Sequence, residues 1–189
     1  MCKKFIFLLL TLSLLLLTSC HSNLKDEFRE EYPQLTDPNH LYEVVNADYV
    51  ISLLTDTSNV DYQKQTILVL GFKACPWCQA VIPYVNEVAK EKKYTKVYYV
   101  DIKDMRDNEE SFDHSKYLTI KEKLISVIDQ EKNRINAPTV VVLKNGQVLS
   151  FHLDTLPNHL LNENRILPPL NSSQEEELRN IFREMFEIK

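Results

Sequence analysis

Thr66-Ile67-Leu68-Val69-Leu70-Gly71-Phe72-Lys73-Ala74-Cys75-Pro76-Trp77-Cys78 carries most of what this chain says about its architecture. Thr66 to Phe72 is a continuous apolar run of strand length, the pattern of a central strand buried on both faces. A helical pattern follows from about Pro76 to Lys92, with Val81, Val85 and Val88 near helical spacing and Pro83 as an expected kink. Cys75 therefore falls just after a buried strand and at the first turn of a helix. Unpaired N–H groups and the positive end of the helix dipole favour thiolate over thiol there. Cys78 sits one turn further on, close enough to attack a mixed disulfide formed at Cys75. Pro76 suits the first turn because its missing N–H has no intrahelical partner to lose. Zinc sites also use Cys-x-x-Cys, but zinc normally takes four protein ligands and no second cysteine pair lies downstream.

Outward from this stretch, the elements alternate. Leu41 to Val45 is a short β-like run, and Asn46 offers an N-cap to a helix from about Ala47 to Leu54 with Val50, Ile51 and Leu54 inward. Lys96 to Ile102 is a second strand rich in β-branched and aromatic residues. Strand, helix, strand in this order implies a parallel pair with a right-handed crossover. Lys103 to Asp113 reads as acidic and irregular, and a helix is expected from about Ser115 to Lys132 with Leu118, Leu124, Ile125 and Ile128. Thr139 to Leu143 and Gln147 to Leu153 flank Asn145-Gly146, a strong hairpin signal. After a Pro-containing loop from Asp154 to Asn171, Ser173 starts a final helix whose inward face is Leu178, Ile181, Phe182 and Met185.

The N-terminus reads as an address. Lys3 and Lys4 precede an apolar run from Phe5 to Leu17, which as a helix would span about 20 Å, well short of a ~30 Å hydrocarbon core. It is a signal peptide pattern rather than a span, the other reading being an uncleaved anchor helix. Leu17-Thr18-Ser19-Cys20 resembles the lipobox of bacterial lipoproteins, which implies acylation of Cys20 and removal of 1–19. Residues 20–40 are then a polar tether and 41–189 a single domain. With Cys2 removed and Cys20 acylated, Cys75 and Cys78 are the cysteines that remain. The loop between them is too short to stabilise much by restricting the unfolded chain, so a purely structural disulfide is disfavoured. A formal net charge of −5 on 189 residues, with pI near 5.6, argues against nucleic acid as a partner.

These features together resemble the thioredoxin-like family, and three further features fit. Pro83 follows Cys78 by five positions, where the family kinks its active-site helix. Ala137-Pro138-Thr139 precedes a strand as the family's cis-proline does, facing the redox pair and helping to hold an extended substrate. Asn145-Gly146 lies between strands of a ββα ending. The resemblance implies an α/β thioredoxin-like fold with a central mixed sheet flanked by helices, over about Leu41 to Lys189. Within the family the chain looks most like lipoprotein or secreted members of Gram-positive bacteria, including bacteriocin transport accessory proteins. Two departures stand out. The buried Asp that disulfide-reducing thioredoxins carry six residues before the first cysteine is Val69 here, and its usual lysine partner aligns with Val97. The connection from Asp101 to Pro138 is also longer by roughly twenty residues.

The expected activity is thiol–disulfide exchange at the extracytoplasmic face of a bacterial cell membrane, with the protein lipid-anchored through Cys20. Cys75 and Cys78 are the catalytic residues. Pro76, Trp77, Ala137 and Pro138 are the expected substrate contacts, and Lys73 is a candidate to modulate the Cys75 thiolate, a solvated lysine being the plainer reading. No metal or organic cofactor is expected, the redox-active disulfide Cys75–Cys78 serving in that place. Expected partners are cysteine-containing exported proteins or peptides and a membrane redox partner. A non-catalytic accessory role in peptide export, and Cu(I) binding by the two thiolates, are the alternatives. The five histidines show no ligand spacing and read as surface residues, and the resemblance implies that Trp77 is exposed.

Overall fold

The computed structural model describes residues 24–187; the leader expected over 1–19 and the acylation expected at Cys20 lie outside the described residues. The described residues divide into two compact units, one ending at His40 and one beginning at Leu41. In the first, residues 24–31 form a helix, α1, in a stretch that reads as polar and without apolar period. The period is there, in Leu24, Phe28 and Tyr32 at four-residue spacing, hidden among charges. The Phe28 and Tyr32 rings meet at 4.8 Å, and Lys25 Nζ donates to the His40 carbonyl at 2.8 Å.

The second unit runs β1 (Tyr42–Val44), α2 (Ala47–Thr55), β2 (Thr66–Gly71), α3 (Pro76–Glu91), β3 (Val97–Asp101), α4 (Lys103–Asp107), α5 (His114–Lys123), β4 (Thr139–Lys144), β5 (Gln147–Leu153) and α6 (Ser172–Met185). The sheet has the order β1-β3-β2-β4-β5. β3 pairs parallel with both β1 and β2, whereas β4 pairs antiparallel with β2 and β5. This is a mixed five-stranded α/β sheet with β2 at its centre, and all of β2 is buried, as its unbroken apolar run requires. Leu68 and Leu70 join one core with Tyr98, Val100, Val141 and residues of α2 and α5. No helix among the described residues is long and apolar enough to cross a membrane.

Local chemistry sets the element ends. Asn46 caps α2 by accepting the Tyr49 N–H at 2.9 Å. Asn171 and Gln174 form a reciprocal capping box at the start of α6. At the β4–β5 turn both Asn145 (φ 53) and Gly146 (φ 69) are left-handed, as a two-residue hairpin turn needs. Gly146 is also packed tightly, since a Cβ there would lie 2.4 Å from the Leu54 carbonyl oxygen.

Two segments differ from expectation. Lys103 to Asp113 is not wholly irregular, because Lys103–Asp107 forms α4 with Met105 buried. The helix expected to reach Lys132 ends at Lys123, and one 3-10 turn follows at Ile125–Val127. The buried stripe is Tyr117, Ile120, Leu124 and Val127, while Leu118 and Ile125 are exposed. Ile125, Val127 and Ile128 are β-branched and lose side-chain freedom in a helix. The chain instead turns back, and Asp129 and Arg134 exchange backbone hydrogen bonds of 2.9 and 3.3 Å.

Candidate active site

β2 ends at Gly71, and the chain makes one tight bend before α3, with the Cys75 N–H donating to the Phe72 carbonyl at 3.0 Å. Cys75 is the N-cap of α3 and Pro76 opens its first turn. The cap atom is the sulfur itself: the Cys78 N–H donates to Cys75 Sγ at 3.3 Å. Cys75 Sγ in turn donates to the Ala137 carbonyl at 3.2 Å. Both cysteines are free thiols here.

Both cysteines are buried, Cys75 at 3% exposure and Cys78 at 0%, but their thiols are shifted in opposite directions. Cys75 is held below the ordinary thiol range, first by its hydrogen bond with the Cys78 side chain and then by the Cys78 and Trp77 N–H groups, with burial and Asp154 opposing. Cys78 is fully buried, and burial followed by the hydrogen bond and charge of Cys75 pushes it far up. One thiol is poised to ionise and the other is kept protonated. Gly71 leaves room for the second: a Cβ at this position would lie 3.1 Å from Cys78 Sγ and 3.5 Å from Tyr99 Cε2.

Cys75 opens onto a cleft of about 720 Å³. Pro76, Trp77 and Ala137 line it, whereas Pro138 is buried and its carbonyl accepts the Asp154 N–H at 2.9 Å. The Ala137–Pro138 peptide bond is cis. Lys73 is exposed on the bend before Cys75 and is not among the cleft-lining residues. Trp77 is half-buried rather than exposed, because its indole N–H reaches the His159 carbonyl at 3.4 Å. His159 is itself buried, contrary to its reading as a surface residue. Its Nε2 donates to the Pro168 carbonyl at 2.7 Å and its Nδ1 meets Thr155 Oγ1 at 2.8 Å, so it ties the loop after β5 together. His40 is also buried, and His152 is half-buried with its Nε2 on the Thr155 carbonyl at 2.5 Å. Burying an imidazole needs partners for both nitrogens. Nothing in the sequence spacing announces carbonyl partners that come from distant turns.

The long connection from Asp101 to Pro138 supplies one wall of the cleft, through Arg106, Lys132, Arg134 and Asn136. Arg106 pairs with Asp107 through both Nε (2.7 Å) and Nη2 (3.0 Å), lies over the Phe72 ring at 5.2 Å, and senses the charge of Cys75. Sequence reasoning looked to Lys73 for this cation, because Lys73 is near in sequence; Arg106 is near in space. Asp154 is the one carboxylate among the lining residues. Where a buried Asp was absent at Val69, the register puts Tyr99 opposite, and Val97 faces Tyr42 of β1 instead. No group of three or more His, Cys, Asp and Glu side chains able to hold a metal occurs among the described residues.

No family model matches the chain, and no curated protein matches it. Among solved structures it is similar to a Plasmodium falciparum thioredoxin, at 14% identity over 75% of this chain and 97% of that one, TM-score 0.40. It is similar also to Arabidopsis thaliana thioredoxin O1 in the oxidized state, at 13% identity over 77% and 98%, TM-score 0.42. Arabidopsis thaliana thioredoxin O2 in the oxidized state gives 13% identity over 78% and 96%, TM-score 0.42.

Proposed function

We propose that this protein is a thiol–disulfide oxidoreductase in which Cys75 exchanges with substrate and Cys78 resolves. The observation that carries the reading is the opposition of the two thiols. Cys75 is an N-cap sulfur held toward thiolate and lining a cleft, and Cys78 is a fully buried neighbour one helical turn away that is held protonated. In the reducing direction the Cys75 thiolate attacks a substrate disulfide, forming a mixed disulfide and releasing one substrate thiolate, which takes up a proton. Cys78 then loses its proton and attacks Cys75 Sγ, releasing the second substrate thiol and closing Cys75–Cys78. The oxidising direction reverses these steps. The two sulfurs suffice as redox centre, without metal or organic cofactor.

The leader pattern and the lipobox-like Leu17-Thr18-Ser19-Cys20 support a place at the extracytoplasmic face of the membrane, anchored through Cys20. Substrates are then cysteine-containing exported proteins or peptides, and a membrane redox partner resets the pair. Exported peptides are the first to try, given the resemblance to bacteriocin transport accessory proteins.

The test equilibrates the full chain in glutathione buffers and follows Trp77, its sole tryptophan. A single transition that disappears in Cys75→Ser supports the reading. A potential near about −120 mV marks an oxidant and one near about −270 mV a reductase. A pair that never equilibrates overturns the reading and favours a non-catalytic accessory role.

A further inference from the structure

We propose that Asp154, directly after β5, is a positioning carboxylate that holds down the thiolate fraction of Cys75 and so makes the Cys75–Cys78 pair less oxidising. The inference rests on the redox reading above and adds a residue to it.

Three geometric observations carry it. Asp154 lines the same cleft as Cys75 and is the only carboxylate that does so. It is tied to the site by backbone: its N–H donates to the Pro138 carbonyl at 2.9 Å, and the adjoining Ala137 carbonyl accepts Cys75 Sγ at 3.2 Å. It is also held at φ 56, a left-handed conformation that a residue other than Gly adopts infrequently, and one that Asp and Asn tolerate best. The side chain is half-buried and forms no ion pair among the described residues.

The electrostatic surroundings agree. Burial first, and the Asp129 charge last, raise the Asp154 carboxyl, against Lys132 and His152. Lys132 is spent on Asp129 at 3.2 Å, and His152 is itself lowered by burial, so neither neutralises the carboxylate at neutral pH. Arg106, the other cation that senses Cys75, is paired with Asp107. Arg134 and His159 complete the charged and titratable lining. Asp154 opposes ionisation of Cys75 and Cys78 alike. A nearby carboxylate disfavours thiolate, and a less stabilised thiolate makes the dithiol form less favoured and the pair less oxidising. Val69 carries no charge at the β2 position where the resemblance expects a buried Asp, and Tyr99 stands opposite it.

The test compares the wild-type chain with Asp154→Asn and Asp154→Glu. Asn keeps the left-handed backbone and removes the charge, and Glu keeps the charge. Two quantities are read: the rate of Cys75 alkylation by iodoacetamide against pH, and the equilibrium of dithiol plus glutathione disulfide with protein disulfide plus two glutathione thiols. Asp154→Asn should raise alkylation threefold or more at pH 7 and shift the equilibrium up to tenfold toward dithiol, which is about 30 mV more oxidising. Because the Asp154 carboxyl lies above the usual carboxylate range, the difference from wild type should be full above its pKa and vanish as pH falls through it. Asp154→Glu should stay near wild type on both readouts. Coincident wild-type and Asp154→Asn pH profiles overturn this inference alone. A wild-type pair that never equilibrates with glutathione overturns the redox reading and this inference with it.

Discussion

The Cys78 N–H donates to Cys75 Sγ across an N···S distance of 3.3 Å, so one cysteine of the pair, through its side chain first and its amide as well, favours ionisation of the other. The bond exists because Cys75 occupies the N-cap, where a serine or aspartate oxygen would ordinarily accept the N3 amide. A helix start has thus been made from a sulfur, and the thiolate strengthens the cap.

This arrangement predicts unequal reactivity. Iodoacetamide should modify Cys75 and leave Cys78 untouched in the folded reduced protein, as read by peptide mass mapping. Cys75→Ser should abolish exchange. Cys78→Ser should instead accumulate a mixed disulfide with substrate, visible on non-reducing gels. The alkylation rate follows the thiolate fraction, so it should hold its plateau to a pH below the ordinary thiol range and then fall.

Asp61 anchors the segment between α2 and β2. Its Oδ2 accepts from Tyr98 at 2.5 Å and from Tyr49 at 3.0 Å, while Oδ1 meets Lys64 at 2.8 Å. Burial raises the carboxyl, but Lys64, Tyr98 and Tyr49 outweigh it and bring Asp61 down to about 2. Its folded-state pKa is depressed, so its stabilisation is present above the unfolded value near 4 and is lost as pH falls toward 2. Asp61→Asn should lower stability by about 2 kcal/mol at pH 7 in urea unfolding. The deficit should shrink between pH 4 and pH 2.

The turn at Gly146 predicts a larger local penalty than its half-buried setting suggests. Gly146→Ala has to accommodate φ 69 and a Cβ placed 2.4 Å from the Leu54 oxygen and 3.0 Å from Tyr62 Cε2. A loss of about 2 kcal/mol is expected, read as a lowered urea midpoint at unchanged slope. Asn145→Gly, at φ 53 in the same turn, should change stability by well under 1 kcal/mol.

His159 should report on the cleft through Trp77. His159→Leu removes the bonds to Pro168 and Thr155 that hold the loop whose carbonyl receives the indole N–H. Trp77 emission should shift to the red and quench more readily with iodide. A Trp77 spectrum identical to wild type would show that the loop does not depend on the imidazole.

Much of the strand and helix order was legible because the signals are local. An unbroken apolar run buried on both faces, a cap residue before a helix, and Asn-Gly between alternating segments each act over a few residues. The helix expected through Lys132 was misjudged because Leu118 and Ile125 add to apparent apolar periodicity although they face solvent. Helix α1 was missed for the opposite reason, its apolar stripe being outnumbered by charges.

By itself the sequence determined the β2–α3 junction, and with it the placing of Cys75 at a helix N-terminus and Cys78 one turn inside, since spacing and propensity act along the chain. Only the tertiary structure decided which groups surround the sulfurs. Arg106 and Arg134 from the long connection, Ala137 before β4, Asp154 after β5 and His159 in the loop beyond are far apart in sequence. The sheet order and the return of the chain at Asp129 and Arg134 bring them to one cleft. Electrostatic effects fall off with distance in space, not along the chain. The pull of Cys75 toward thiolate thus comes chiefly from Cys78 and Trp77, its neighbours along the chain, whereas the charges that line the cleft come from residues that no local pattern could single out.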